Sequence, residues 1–163
     1  MGNLIERIYA ECSLNLAPDY VERFFSAHSA GKGRVVLPLH APLELAGFKT
    51  ELEKPVEFIL EEIRTGSDMI PTIRLRWEPE GGGPFPTFTG TLTIEAGEDY
   101  STSAIVLRGS YEPPFGAAGK TFDAAMGQKI ARATARELLE RIRDFIEEAY
   151  QETEREKKAR ARA

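Results

Sequence analysis

The sequence predicts an α+β domain in which a twisted antiparallel sheet of about six to seven strands wraps around one long C-terminal helix. A short helix is inserted after the first strand. Three observations carry this. Between Arg34 and Tyr111, several runs alternate apolar and polar residues with a period of two, as half-buried strands do. Further on the period changes: Phe122, Met126, Ile130, Ala131, Ala135, Leu138, Leu139, Ile142, Phe145, Ile146 and Ala149 recur at helical spacing. Finally, the 163 residues contain no internal repeat and no dividing linker, so the strands and helices must share one core.

Leu4 to Leu16 reads as the first strand. Leu4, Ile8, Ala10, Cys12 and Leu14 share a face interrupted by Glu6, and Arg7, Glu11 and Ser13 lie opposite. Asn15-Leu-Ala-Pro-Asp opens a helix, because Pro18 suits a first turn whose N–H groups have no partner. Asp19 and Glu22 complement its dipole, and Val21, Phe24 and Phe25 give it an apolar side. Gly31-Lys-Gly33 is expected to end it.

Strands are then expected at Arg34 to Leu39, Val56 to Ile63, Ile70 to Glu78, Phe88 to Ala96 and Ser103 to Tyr111. Pro38 and Pro42 point to an edge or a bend. Alternation is imperfect around His40 and Glu61. Glu80-Gly-Gly-Gly-Pro breaks the pattern and Gly97-Glu-Asp reads as a tight hairpin. The last helix is expected from about Thr121 to about Glu152, a length of about 50 Å, with a charged far face that carries the i,i+4 pair Glu137 and Arg141. Residues 1–150 are read as the single domain. Residues 151–163 are read as a charged helical extension or a disordered tail.

The formal net charge of −5 argues against nucleic acid or anionic membrane as a general partner. From Glu147 onward five acidic and five basic side chains cancel, so the body carries the whole deficit. Lys157-Lys-Ala-Arg-Ala-Arg resembles a contact for acidic lipid or RNA, but acidic residues just before it weaken that reading. A single cysteine, Cys12, rules out a disulfide within the chain and a cysteine-rich metal site, in keeping with a cytoplasmic location. The N-terminus does not read as a signal peptide, and no apolar run approaches the roughly 20 residues of a membrane span. Peripheral membrane contact stays open.

No catalytic motif, metal-ligand cluster or cofactor motif emerges. His28 falls at the end of the first helix and His40 beside two prolines, neither with a nucleophile or carboxylate placed by any motif. Gly81 to Gly83 precedes a strand and lacks the Gly-Lys-Ser/Thr ending of a phosphate loop. Arg74, Arg76 and Arg108 alternate with Ile73, Leu75 and Leu107, which puts the arginines on the outer face. Cys12 reads as an inert buried thiol.

The order of elements resembles the START-related helix-grip superfamily (SRPBCC), which includes polyketide cyclases, lipid-transfer domains and the birch-pollen-allergen fold. Leu107-Arg-Gly-Ser-Tyr-Glu-Pro-Pro-Phe-Gly-Ala-Ala-Gly followed by Phe122-Asp123, together with Leu75-Arg-Trp-Glu, is similar to uncharacterised bacterial members. The resemblance spans Leu4 to Tyr150 and implies an apolar ligand cavity between sheet and helix. Small side chains at Ala124, Ala125, Gly127, Ala131, Ala133 and Ala135 either leave volume there or let the backbones pack closely. The expected lining is Phe58, Leu75, Trp77, Leu92, Leu107, Tyr111, Phe122, Met126 and Ile130. Pro113, Pro114, Phe115, Gly116 and Gly119 form either a gating loop at its mouth or a plain connector. The leading expectation is binding of a lipid or polyketide-like molecule without a cofactor. A cyclase or aromatase activity is one alternative. An assembly or membrane-recruitment module, related to the superfamily members associated with carbon monoxide dehydrogenase maturation, is another.

Overall fold

A computed structural model describes residues 2–45, 48–64, 72–79, 86–112 and 124–163. The elements in chain order are β1 (Gly2–Ala10), α1 (Ala17–Ala27), β2 (Ser29–Gly31), β3 (Arg34–Leu45), β4 (Phe48–Arg64), β5 (Thr72–Pro79), β6 (Thr87–Ala96), β7 (Ser103–Glu112) and α2 (Ala124–Ala161). The strands form one antiparallel sheet in the order β1-β7-β6-β5-β4-β3-β2. Strands β2 to β7 are a meander, and β1 returns to pair with β7 along its whole length. This is the expected α+β arrangement, a seven-stranded sheet with a long helix after it and a short helix behind strand 1.

The first strand is shorter than its alternation suggests. It stops at Ala10, where the Cys12 N–H turns back to the Ala10 carbonyl at 2.9 Å. Cys12 stays buried although it has left the strand, while Leu14 is exposed. Glu6, the acidic interruption of the apolar face, is opposite Arg132 of α2 at 3.6 Å. The glycines at 31 and 33 do not cap α1. The helix ends at Ala27 with His28 as its C-cap, and Gly31, Lys32 and Gly33 take φ of 89°, 53° and 71° to turn β2 into β3. Three successive positive φ values explain the two glycines better than a helix cap does.

The β3–β4 hairpin is also longer than expected, paired from Arg34↔Ile59 to Leu45↔Phe48. The poor alternation around Glu61 has a cause: the register against β5 shifts between Leu60 and Glu62, so Glu61 is the extra residue of a bulge.

Beyond Val35, β3 is an edge strand, and its free-side N–H groups from Val36 to Pro42 are either bonded or absent. N–H groups on its free side belong to the even positions. The Val36 N–H bonds the His28 carbonyl at 3.4 Å, and Pro38 has no N–H. The His40 N–H is taken by Glu137 of α2 at 2.6 Å, and Pro42 again has none. Prolines and a carboxylate thus protect an edge that would otherwise recruit another strand.

Helix α2 packs chiefly on β1, β3, β7 and α1, bridging the two sides of the sheet. It runs in the same direction as β1: Arg132 lies against Glu6, and the Glu147 carboxylate accepts the Glu11 N–H at 3.1 Å. Glu137 therefore touches the sheet edge and does not sit on a far, solvated face. At 38 residues and about 57 Å the helix continues past Glu152 to Ala161. Tyr20 of α1 meets Thr153 at 2.7 Å, and pairs such as Lys157–Glu154 at 2.9 Å support the last turns. Among the described residues no helix is long and apolar enough to cross a membrane.

Candidate functional site

The inner face of the sheet is organised in rows set by strand register. One row crosses six strands: Val35, Phe58, Trp77, Phe88, Tyr111 and Gly2 are successive partners. Its centre is four aromatic residues wide. Phe58 and Trp77 meet edge to face at 5.7 Å, and Trp77 stacks on Phe88 at 4.2 Å. The Trp77 indole N–H donates to the Pro86 carbonyl at 3.1 Å, which satisfies the indole's one polar atom and fixes its ring. The row ends in glycine for a steric reason: the Tyr111 ring lies where a Gly2 side chain would be.

The next row reads Leu60, Leu75, Gly90, Gly109 and Leu4. The facing glycines Gly90 and Gly109 leave a gap in the floor, and the Phe88 ring leans over both and fills it. A methyl group on either glycine would collide with that ring and with a neighbouring strand's carbonyl. A further row carries Ile73, Leu92 and Leu107.

Of the expected lining residues, Phe58, Leu75, Trp77, Leu92, Leu107 and Ile130 are wholly buried. Tyr111 keeps 7% of its surface, and Met126 is half-buried against the core. Phe122 and the expected gating residues Pro113, Pro114, Phe115, Gly116 and Gly119 lie outside the described residues, as does Gly81 to Gly83. The helix contributes small inward residues at Gly127, Ala131, Thr134 and Ala135, while Ala125 faces outward. Thr134, not singled out from sequence, is buried because its hydroxyl bonds back to the Ile130 carbonyl at 2.9 Å.

The contact of Arg132 with Glu6 fixes the helix against β1. Six residues earlier, about 9 Å back along the axis, Met126 stands level with the first residues of β1 and so with Tyr111. The two lining residues that retain surface therefore belong to the same end of the interior. Phe88 is the aromatic that sequence reasoning left out of the lining. Its alternation was legible, but its position between Trp77 and Tyr111 depends on register.

The remaining candidates lie away from this interior face or make contacts within the fold. His28 is exposed, with Nδ1 2.9 Å from the Phe24 carbonyl and its ring against Phe24. His40 Nδ1 lies 2.9 Å from Glu137 Oε1, which also accepts from Arg141 at 3.3 Å. This polar latch joins β3 to α2. Burial pushes the Cys12 thiol up to about 11, so it carries little thiolate at neutral pH. Arg74, Arg76 and Arg108 are on the outer face, Arg108 bonded to Glu95 at 2.9 Å. Among the described residues no three His, Cys, Asp or Glu side chains gather as a metal site. A separate groove of about 170 Å³ lies between α1 and the β2–β3 turn, floored by Phe25, Val35 and Leu60.

No family model matches the sequence, and no curated protein matches it either. Solved structures do. An uncharacterised protein from Bacillus thuringiensis is 13% identical with a TM-score of 0.55, over 89% of this chain and 98% of that one. A conserved protein from Geobacillus kaustophilus is 11% identical at 0.56, over 91% and 97%. A START superfamily protein from Mycobacterium smegmatis is 12% identical at 0.51, over 93% and 98%. At these identities the likeness establishes a START-like helix-grip fold.

Proposed function

We propose that this START-like helix-grip chain binds an apolar small molecule, lipid or polyketide-like, between the inner sheet face and the first half of α2. The observation that carries the reading is the aromatic row Phe58–Trp77–Phe88–Tyr111 facing a helix segment of small residues. A wide apolar floor with one hydroxyl at its end suits a ligand that is mostly hydrocarbon with a single polar point. Its lining is Phe58, Leu75, Trp77, Leu92, Leu107, Tyr111, Phe122, Met126 and Ile130, entered from the Tyr111–Met126 end. Pro113, Pro114, Phe115, Gly116 and Gly119 are proposed as the gate of its mouth. Residues 1–150 form the binding domain, and the remainder extends α2. The chain acts in the cytoplasm, which the single cysteine supports, and it is proposed to need no cofactor.

Wholly buried lining residues mean that a ligand enters by displacing side chains. The small residues of α2 are where the helix gives way at least cost. Each Å² of apolar ligand surface removed from water contributes about 25 cal/mol before ordering costs.

The test uses the chain's only tryptophan. Native mass spectrometry of the protein as purified identifies any retained small molecule. Titration with fatty acids and with polycyclic aromatics is followed by Trp77 emission. Saturable change with one class, lost in Met126→Phe or Tyr111→Ala, supports the reading and names the class. No co-purified mass, no emission change and no thermal stabilisation across both panels would reject it.

A further inference from the structure

The outer face of the sheet carries a second concavity, separate from the interior. Arg76, Thr89 and Ser110 are direct partners across β5, β6 and β7. Two residues along each strand, and so on the same face, stand Glu78, Thr87 and Glu112, with Thr87 opposite Glu112. The middle strand offers only threonines, while its neighbours carry arginine and glutamates. The centre is sunk as a result, and the six side chains with the Phe88 backbone strand line a trough of about 280 Å³.

Its polar groups make few hydrogen bonds, although Arg76 and Glu78 form an ion pair. Arg76 Nε is buried and has no hydrogen-bond partner, and Glu78 Oε1, at 3.7 Å, is beyond bonding reach. The hydroxyls of Thr87, Thr89 and Ser110 enter no hydrogen bond among the described residues. Two other arginines of the same face are hydrogen-bonded: Arg108 with Glu95 and Thr93 at 2.9 and 3.0 Å, and Arg34 with Glu57. A buried donor without an acceptor is the exception in folded proteins and marks a place that an external acceptor would satisfy.

The charges select the class of that acceptor. An anion drawn to Arg76 would face Glu78 and Glu112, and a cation drawn to the glutamates would face Arg76. A neutral molecule with closely spaced donors and acceptors meets no repulsion. Its hydroxyl oxygens accept from Arg76 and the threonines, and its hydroxyl protons go to the carboxylates. The volume sits just below the usual range of about 300–1,000 Å³ for ligand sites, so it takes one ring and not a chain. We propose that this trough is a binding site for a neutral polyhydroxylated ring of monosaccharide size. Because each of its hydrogen bonds replaces one to water, the affinity falls in the millimolar range.

Amide shifts of the full ¹⁵N-labelled chain test this, titrated with glucose, galactose, mannose and xylose, and separately with inorganic phosphate and methylammonium. Saturable shifts at Thr87, Thr89 and Ser110 are expected with at least one sugar. They should weaken tenfold or more in Arg76→Ala and in Thr89→Val, two exposed-face changes whose folding is checked by circular dichroism. If Arg76→Ala does not fold, Ser110→Ala takes its place. The proposal is overturned if no sugar gives a saturable shift, if the shifts survive the substitutions, or if phosphate or methylammonium binds more tightly than every sugar.

Discussion

Replacing Glu137 by alanine tests whether α2 is latched to the sheet edge by one carboxylate. Three bonds are lost. The bond from the His40 N–H at 2.6 Å is charge-assisted and part-buried, a kind that contributes about 1.5–3 kcal/mol. The contact with His40 Nδ1 at 2.9 Å adds about 1 kcal/mol at most, since that side chain is 43% exposed. Arg141, an i,i+4 neighbour at 3.3 Å, adds about 0.3–0.5 kcal/mol. Because these terms share one carboxylate they do not sum, and a net loss of about 2–3 kcal/mol is expected. For a domain of this size that lowers Tm by about 5–10 °C. Urea unfolding of the wild type, Glu137→Ala, His40→Ala and Arg141→Ala, followed by Trp77 emission, gives the order. Glu137→Ala should cost the most, His40→Ala should cost less because the backbone bond survives, and Arg141→Ala least. If Glu137→Ala unfolds within about 0.5 kcal/mol of wild type, or if His40→Ala costs as much, the latch does not hold the edge.

Three further outcomes follow from the packing and charges. Gly109→Ala should lose about 3 kcal/mol or more, because the new methyl meets both the Thr89 carbonyl and the Phe88 ring, and adding Phe88→Leu should restore part of it; equal stability of the single and double variants in urea would count against this account. Trp77→Phe should cost about 1–3 kcal/mol, with the Pro86 carbonyl left unpaired in a buried place, measured by thermal unfolding. The hydrogen bond from Arg108 holds the Glu95 carboxyl below its ordinary value. A depressed carboxylate contributes stability above its unfolded pKa and loses it as pH falls through the folded one. Arg108→Ala should therefore be less stable than wild type at pH 7, with the gap closing as pH drops below about 4.5, in urea titrations at several pH values.

Much of the fold was legible because burial imposes a period. Ile73, Leu75 and Trp77 against Arg74, Arg76 and Glu78 declared both faces of β5, and the stripe from Ile130 to Ile146 declared α2. What escaped was set by contacts between distant residues. Glu137 reads as the partner of Arg141 because they are four apart; nothing local reveals that His40, 97 positions away, is its principal partner. Leu14 has the spacing of a strand residue, yet the chain bends at Cys12 to bring the Cys12 carbonyl to Ser103 Oγ at 2.7 Å. The two prolines at 38 and 42 announced an edge or a bend, and β3 is an edge there. Only the structure shows that a carboxylate completes the series between them.

The candidate site was half legible for the same reason. Alternation assigns Phe58, Trp77 and Tyr111 to the inner face, but not to one row, since a shift of one pair in any hairpin would separate them. The glycines of β1, β6 and β7 carry that missing information. Gly2 is small because Tyr111 lies against it, and Gly90 and Gly109 are small because Phe88 does. Three absent side chains thus place two aromatic rings flat along the floor instead of upright toward α2. Upright rings would fill the space that the small residues of the helix leave. Flat rings keep the floor low and let Tyr111 remain at the edge with its hydroxyl available. Glycine at those three positions is therefore a condition of the proposed ligand site as much as of the strand pairing. Substitutions there should reduce ligand-induced change in Trp77 emission even in variants that remain folded.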